Sequence, residues 1–263
     1  MDKSGTERDR GQRLDGGNWK AGFLIFRLIG MYWVPAGSGG GLKQIGLFGG
    51  TFNPIHNGHL WAAKTVREGF GLDTVILIPA ALPPHKRSRD IAPAGDRLEM
   101  TRLSVAGCEH LEVSDVELVR SGPSYTIDTV RHFRAQTAAD TRLFFIVGVD
   151  AFLEIDTWKY FKDLFLLIPM IVLNRPVSRK VSEVSFSRTV HDFLRIRIYD
   201  GYQPSPDGLS FSHADRQTVY LFPGEMKDIS STLIRQYIGR EESIREAVPG
   251  SVVNFIQRKG LYR

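Results

Sequence analysis

From Lys43 onward, continuous apolar runs alternate with stretches of helical spacing. Uninterrupted apolar runs are typical of strands buried on both faces of a sheet, whereas apolar residues three and four positions apart are typical of amphipathic helices. The runs that predict strands lie at 43–48, 74–80, 111–113, 142–150, 168–174 and 218–222. The stretches that predict helices lie at 58–70, 96–108 and 125–134, with a further helix from about 231 and a terminal helix and tail over 251–263.

Strands that alternate with helices predict an α/β fold, in which a doubly wound, mostly parallel sheet is covered on both faces and a small helical part follows at the C-terminal side. In such sheets, ligands bind beyond the carboxyl ends of the strands. The segment after the first strand, the loop after 74–80 and residues 148–150 all fall at the carboxyl ends of predicted strands. We therefore expect these three segments to share one crevice.

The pattern is weakest over residues 177–217, which mix Ser, Arg, Pro and Gly. Weak strand character near 194–199 is the main local signal there. Connections of this length are usually functional or mobile. We interpret the region as a connection of uncertain structure before the strand at 218–222.

The first 42 residues differ in character from the rest. Residues 1–20 are polar, the apolar stretch 23–34 is interrupted by Arg27 and is too short to span a bilayer, and GSGGG at 37–41 is typical of a flexible linker. We expect residues 1–42 to form a disordered leader, although an interfacial anchor or a partner-binding arm is the alternative. Residues 43–263 are expected to form a single domain.

Composition narrows the function classes. The 263-residue chain is 42% apolar and 24% charged, which is ordinary for a soluble globular protein, and its net charge of +5 is mild. No Lys/Arg stripe interleaved with aromatic residues is present, so neither a nucleic-acid partner nor a membrane partner is expected. The single cysteine, Cys108, excludes an internal disulfide and agrees with a cytoplasmic location.

The most informative motif is GLFGGTFNPIHNGHL at 46–60, which passes from a strand into paired glycines and then into two histidines. His59 would lie in the first turn of a helix, where backbone N–H groups and the helix dipole favour an anion, and His56 would lie just before it. Convergent imidazole and amide donors suit a polyphosphate. Two histidines can also share a zinc ion, but no Cys or carboxylate ligand lies nearby in the motif, so no metal site is expected.

Two separated motifs resemble one enzyme superfamily. HNGH at 56–59 matches the HxGH signature of the nucleotidylyltransferases, and ISSTLIR at 229–235 matches their second signature, ISSTxxR. The chain further resembles the bacterial nicotinate-nucleotide adenylyltransferase family in five segments, namely GGTFNPIHNGH, IPAALPPHK, RSGPSYTIDT, FIVGVDAFLEIDTW and the terminal LYR. The resemblance covers most of 43–263, is weak over 177–217 and does not include the leader. Asn53 stands where many relatives have Asp.

The resemblance implies a Rossmann-like nucleotidyltransferase fold and adenylyl transfer from ATP to nicotinate mononucleotide, giving deamido-NAD and pyrophosphate in NAD biosynthesis. It implies no covalent intermediate, Mg²⁺ carried with ATP rather than held by a protein cage, and a homo-oligomer as an open option. Other acceptors, such as nicotinamide mononucleotide or phosphopantetheine, remain alternatives. So do a nucleotide sensor without turnover and, last, a tRNA-charging enzyme.

On this resemblance His56, His59 and Arg235 are the expected catalytic residues, which donate to the phosphates of ATP. The expected ATP-binding residues are Gly49, Gly50, Thr51, Phe52, Gly148, Asp150, Arg175, Ile229, Ser230, Ser231 and Thr232. Glycine is useful where backbone must approach a nucleotide, because no Cβ blocks the contact. Serine and threonine at 230–232 are also ordinary helix caps, which is compatible with an anion site. Asp150 is a turn residue on the plainer interpretation.

The resemblance assigns the mononucleotide to Lys86, Tyr125, Thr126 and Trp158. Lys86 would contact its phosphate, and the backbone amides of Tyr125 and Thr126 would receive the nicotinate carboxylate at the start of a helix. Trp158 would stack on the pyridine ring. The plainer alternatives are a solvated surface lysine for Lys86 and a core aromatic for Trp158.

Overall fold

The computed structural model describes residues 42–83, 91–174, 183–224 and 229–263. The expectations for the leader and linker, for Lys86 and for Arg175 therefore lie outside the described residues. None of the described helices has the length and apolar character needed to cross a membrane.

One sheet organises the described chain, with the strand order β3-β2-β1-β4-β5-β8-β7-β6. Its strands are β1 (Lys43–Gly50), β2 (Thr74–Pro79), β3 (Leu111–Val113), β4 (Thr141–Gly148), β5 (Met170–Leu173), β6 (Gln203–Pro204), β7 (Ser210–His213) and β8 (Arg216–Phe222). All neighbouring pairs from β3 to β8 are parallel, whereas β7 is antiparallel to both β8 and β6. The doubly wound, mostly parallel fold predicted from the sequence is confirmed.

Helices cover the sheet between its strands. They are α1 (Asn57–Phe70), α2 (Ala94–Val105), α3 (Val116–Val119), α4 (Thr126–Gln136), α5 (Val149–Phe152), α6 (Phe161–Leu167), α7 (Glu183–Phe193), α8 (Ser231–Gly239) and α9 (Gly250–Lys259). A 3-10 turn lies at Ile155–Thr157, and a π-helix at Leu194–Ile198 continues α7. The last two α-helices form the predicted helical part at the C-terminal side.

The central strands are apolar along most of their length because both of their faces are covered. Every residue of β2 and of β5 is buried, as is the middle of β1 and of β4. Packing is close enough to require glycine at one point in β1. A Cβ atom on Gly46 would stand 2.8 Å from the Cδ1 atom of Ile146 and 2.9 Å from that of Leu72. A side chain at this position would therefore force these buried neighbours to shift.

The chain reverses its direction of winding between β1 and β4, which are neighbours although β2 and β3 intervene in sequence. Because parallel crossovers are right-handed, those that lead from β1 toward β2 and those that lead from β4 toward β5 are expected on opposite faces of the sheet. At such a switch point the loops diverge beyond the strand ends and leave a crevice. The predicted crevice is therefore expected beside Gly50 and Gly148, the last residues of these two strands.

Two local predictions were wrong. The strand character near 194–199 belongs to the π-helix, in which Leu194 and Ile198 are buried four residues apart while Ile196 is 71% exposed. The alternation of apolar and basic residues there imitates the period of a strand. The strand predicted to reach Asp150 ends at Gly148 instead, and Asp150 lies in the first turn of α5.

Candidate active site

The two histidines lie together at the start of α1. His56 precedes the helix in an extended conformation and is 1% exposed, whereas His59 is half-buried. Their rings stack with centroids 3.7 Å apart, and Nδ1 of His59 accepts a hydrogen bond from the backbone N–H of His56 at 3.3 Å. In a neutral imidazole whose Nδ1 accepts, the proton resides on Nε2. The backbone thus orients His59 as a donor through Nε2.

Aromatic packing further fixes the His59 ring. The ring of Phe52 meets it edge to face at 5.0 Å, and Phe48 lies 6.3 Å away. Phe52 is itself buried and has a left-handed φ of 46°. Such a conformation is uncommon for a bulky residue and marks a turn that its surroundings hold in place. The turn brings the chain from β1 back across the strand ends toward α1.

The second motif contacts the first directly. Ser230 caps α8, its Oγ accepting from the backbone N–H of Leu233 at 3.1 Å. The next serine, Ser231, donates from Oγ to the carbonyl of Pro54 at 2.9 Å, and Arg235 donates from Nη1 to the carbonyl of Asn53, also at 2.9 Å. Residues separated by more than 170 positions therefore meet at the loop that leads into His56.

A cavity of about 370 Å³ opens at the carboxyl ends of β1, β2 and β4. Most of the predicted site residues line it, and these are Gly49, Gly50, Thr51, Phe52, His56, His59, Tyr125, Thr126, Gly148, Asp150, Trp158 and Ile229. Ser230, Ser231, Thr232 and Arg235 do not line it but belong to the adjoining first turns of α8. The expectation that the three strand-end segments share a crevice is confirmed.

The wall opposite the histidines is built around the start of α4. Ser124 is buried, and its Oγ accepts from the backbone N–H groups of Ala81 and Leu82 at 2.9 and 3.2 Å. This hydroxyl ties the loop after β2 to the residues that open the helix. Tyr125 and Thr126 follow at once at the helix N-terminus, where an anion is favoured, and the backbone N–H of Tyr125 donates to the carbonyl of Pro123 at 3.0 Å.

Trp158 and Lys159 form the neighbouring part of this wall. The indole of Trp158 meets Phe145 edge to face at 6.2 Å. The Nζ atom of Lys159 lies 4.4 Å from the ring centroid of Tyr125 and 3.5 Å from Oδ2 of Asp128. A cation thus stands beside the same helix start. This side of the cavity combines an aromatic face with a lysine that is paired with Asp128.

Sequence reasoning missed several residues of the cavity region. Lys159, Glu117 and Glu154 line the cavity. Lys159 directly follows the segment FIVGVDAFLEIDTW, so its place next to that segment was a usable signal. No such signal marks Glu117, whose buried carboxylate accepts a hydrogen bond from Oγ1 of Thr129 at 2.6 Å.

Arg97 is a further residue that the sequence did not reveal. It is 1% exposed and donates from Nε to the carbonyl of Ala92, from Nη1 to that of Thr51 and from Nη2 to that of Ala81, at 2.9, 2.7 and 3.1 Å. Burial lowers the pKa of its guanidinium below the ordinary value. Because one side chain holds the loops after β1 and β2, it sets the spacing between the walls of the cavity.

Comparison with known proteins agrees with this geometry. The family model described as cytidylyltransferase-like matches residues 47–237. A protein of Desulfatibacillum aliphaticivorans is 42% identical over 220 residues, which are 83% of this chain and 99% of that protein. One of Geobacter sp. strain M21 is 40% identical over 219 residues, with 83% and 98% covered. Both are named probable nicotinate-nucleotide adenylyltransferase.

Solved structures share the fold. Plasmodium falciparum nicotinic acid mononucleotide adenylyltransferase complexed with NaAD aligns with a TM-score of 0.62 at 15% identity, over 84% of this chain and 97% of that one. The same enzyme complexed with APC aligns with a TM-score of 0.58 and the same coverage. The family match and the identities to the bacterial proteins, taken with a site in which both predicted motifs meet, assign the chain to the cytidylyltransferase-like family and, within it, to the nicotinate-nucleotide adenylyltransferases.

Proposed function

We propose that the protein transfers the adenylyl group of ATP to nicotinate mononucleotide, giving deamido-NAD and pyrophosphate in NAD biosynthesis. The observation that carries this proposal is the meeting of the two motifs at one end of the sheet. Ser231 and Arg235 hold the loop at Asn53 and Pro54 that leads into the histidine pair. The relatives at about 40% identity, whose names state this activity, support the assignment.

The proposed ATP site lies along the start of α1 and of α8. His59 donates from Nε2 to a phosphate oxygen, and His56 lies stacked behind it as the second ring of the pair. The backbone around Gly49, Gly50 and Thr51 approaches the nucleotide. Phe52, Gly148, Asp150, Ile229, Ser230, Ser231 and Thr232 complete the proposed set together with Arg175, which lies outside the described residues.

The acceptor site is proposed at the opposite wall. The carboxylate of the nicotinate ring is proposed to accept from the backbone amides of Thr126 and of Tyr125, which would share its N–H with the carbonyl of Pro123. The ammonium of Lys159 lies beside them. Trp158 offers its indole face to the ring. Lys86, outside the described residues, is proposed to contact the mononucleotide phosphate. The two walls would place the acceptor phosphate and the α-phosphate of ATP side by side in one cavity.

Chemistry at this site requires alignment rather than a covalent enzyme intermediate. An oxygen of the mononucleotide phosphate forms a bond to the α-phosphorus of ATP, the bond from that phosphorus to the oxygen bridging to the β-phosphate breaks, and pyrophosphate leaves with the electron pair. The nucleophile is already an anion, so no strong base is needed. The protein supplies orientation and stabilises charge on the phosphate oxygens.

A divalent cation is proposed to accompany the triphosphate, and we propose Mg²⁺. Among the described residues, no group of three or more His, Cys, Asp or Glu side chains could hold a metal ion. Mg²⁺ keeps several water ligands and commonly binds through substrate phosphates, so arrival with ATP suits this set of side chains. When bound, the ion neutralises negative charge on the phosphates.

The remaining proposals concern organisation. We propose residues 43–263 as the catalytic domain and 1–42 as a leader outside it. A homo-oligomer is compatible with the proposed activity. The free thiol of Cys108 supports a cytoplasmic location, where thiols stay reduced.

Offering ATP with each acceptor in turn tests the proposed function. Pyrophosphate release is followed with nicotinate mononucleotide, nicotinamide mononucleotide and phosphopantetheine under the same conditions. The nicotinate form is expected to have by far the highest kcat/KM, because amide donors and a lysine favour a carboxylate over a neutral amide. Equal values for the acid and the amide would overturn the acceptor assignment. Tight ATP binding without pyrophosphate release from any acceptor would favour a nucleotide sensor.

Gly58→Ala is expected to lower kcat about tenfold without destabilising the fold. A Cβ at this position would stand 3.0 Å from Nδ1 of His56 and would displace a ring that is buried. Small displacements of positioning groups reduce turnover strongly. The matched control is Gly95→Ala, at the same position in the first turn of α2, where an added Cβ meets no atom within 4 Å. Equal kcat values for the two variants would contradict the role assigned to His56.

Trp158→Ala is expected to raise the KM for the mononucleotide about tenfold while the KM for ATP changes little, because stacking on an aromatic ring contributes to binding the pyridine ring only. Initial rates measured with each substrate varied in turn separate the two constants. Trp158→Phe, which keeps a smaller aromatic face, should lie between the wild type and the alanine variant. A similar rise in both KM values would indicate a structural role in the core beside Phe145.

A further inference from the structure

The loop between β1 and α1 is held by side chains from distant parts of the chain. Its carbonyl groups at Thr51, Asn53 and Pro54 accept hydrogen bonds from Arg97, Arg235 and Ser231, respectively. Two of these donors come from α8 and one from α2. The backbone that leads into His56 is therefore shaped by contacts that arise only in the folded protein.

The side chain of Asn53 takes part in the same network. It is 5% exposed, and its Oδ1 accepts from the phenol of Tyr262 at 2.8 Å and from the backbone N–H of Ala92 at 3.0 Å. Tyr262 follows α9, more than 200 positions later in the sequence. The side-chain oxygen of Asn53 thus joins the loop between β1 and α1 to the residues just before α2 and to the segment that follows α9.

The position of Tyr262 is itself constrained. Its φ of 68° lies in the left-handed region, which is unfavourable for a bulky residue and persists only where the surroundings enforce it. Helix α9 is fixed against α2 by an ion pair between Lys259 and Asp96 at 3.1 Å and by a hydrogen bond from Oγ of Ser251 to the carbonyl of Leu103. Burial raises the pKa of the Tyr262 phenol, so the hydroxyl stays protonated and donates.

We propose that Tyr262 is a positioning residue for adenylyl transfer. Its hydroxyl fixes Asn53, and through Asn53 it sets the path of the loop that carries His56 and His59 to the phosphates. Tyr262 contacts neither substrate in this proposal. It acts by holding Asn53, whose carbonyl receives Arg235, so that the histidine pair and the arginine keep one geometry. The role of Tyr262 depends on the proposed function only in that the reaction affected is adenylyl transfer.

Tyr262→Phe tests the proposal, because it removes one hydroxyl and keeps the ring. The expected result is a five- to tenfold lower kcat, with both KM values within about twofold of wild type, since alignment rather than substrate contact is lost. The matched control is Tyr202→Phe. The phenol of Tyr202 donates to the carbonyl of Gln217 at 3.0 Å, its pKa is also raised by burial, and it lies among the edge strands β6 to β8.

The control separates positioning from stability. Tyr202 is 1% exposed, so its phenylalanine variant should lose at least as much thermal stability as Tyr262→Phe while keeping kcat within twofold. A purely structural role for Tyr262 predicts that the two variants lose activity in proportion to their loss of Tm. An unchanged kcat in Tyr262→Phe, or equal losses of kcat in both variants, would overturn the proposal.

A second measurement does not depend on turnover. Nitrogen-15 labelling of the histidines gives ring signals, and the His59 signals are assigned by their loss in His59→Ala. The ring nitrogen shifts of His59 are expected to change in Tyr262→Phe and to stay unchanged in Tyr202→Phe. If the wild type released no pyrophosphate with any acceptor, the proposed function would fail. The nitrogen-15 measurement would still test whether Tyr262 positions His59. Unchanged ring nitrogen shifts of His59 in Tyr262→Phe would refute the proposal that Tyr262 positions His59.

Discussion

His59→Ala is expected to lower kcat by about 10²–10³, because removal of one donor preorganised toward a reacting phosphate has effects of this size. The ring is held by the backbone N–H of His56 and by the edge of Phe52, so Nε2 has a fixed direction. It also stands in the first turn of α1, where the helix field adds to its attraction for an anion. Pyrophosphate release at saturating ATP and nicotinate mononucleotide measures the effect.

The fold should survive this change. His59 is only half-buried and lies at a helix start rather than in the sheet core. Circular dichroism and the Tm of the variant check that point. His132→Ala is the matched control, since this half-buried histidine lies on α4 against Phe133 and does not line the cavity. A His59→Ala variant that kept near-normal turnover would show that the donor assignment is wrong.

The sequence was sufficient for the parallel part of the fold because the physical cause of those strands is local. A strand buried on both faces is a near-continuous apolar run, which β5 shows over its whole length and β2 shows from Val75 to Pro79. The edge of the sheet has no such requirement. The two-residue strand Gln203–Pro204 is too short to carry a period, and Leu194–Ile198 alternates like a strand although it is helical.

The residues of the candidate site likewise fall into two groups, those that a local motif predicts and those that only the fold brings to the cavity. His56, His59, Tyr125 and Trp158 lie in segments whose residues are adjacent in sequence, and all of them line the cavity. Arg97, in contrast, belongs to none of the recognised motifs and carried no local signal. Arg97 resembles any helical arginine until the fold places its guanidinium between the carbonyls of Thr51 and Ala81.

Arg235→Ala is expected to lower kcat by about 10²–10³ for two combined reasons. The guanidinium carries a permanent charge that would face the phosphates, and its Nη1 holds the carbonyl of Asn53 in the loop before the histidines. A guanidinium has five N–H donors, so one bond to Asn53 leaves others for a phosphate oxygen. Initial rates at saturating substrates measure kcat, and Arg240→Ala, which removes an exposed arginine just after α8, is the control.

Arg235→Lys distinguishes the two reasons. Lysine keeps the charge, but its ammonium is a compact donor that cannot reach Asn53 and a phosphate with the geometry of a planar fork. If charge alone mattered, the lysine variant would regain nearly full kcat. Because we propose that the arginine both binds the phosphates and positions Asn53, we expect only partial recovery, to about a tenth of the wild-type kcat. An Arg235→Ala variant within about threefold of wild type would mean that α8 contributes to the domain's packing and not to the transfer of the adenylyl group.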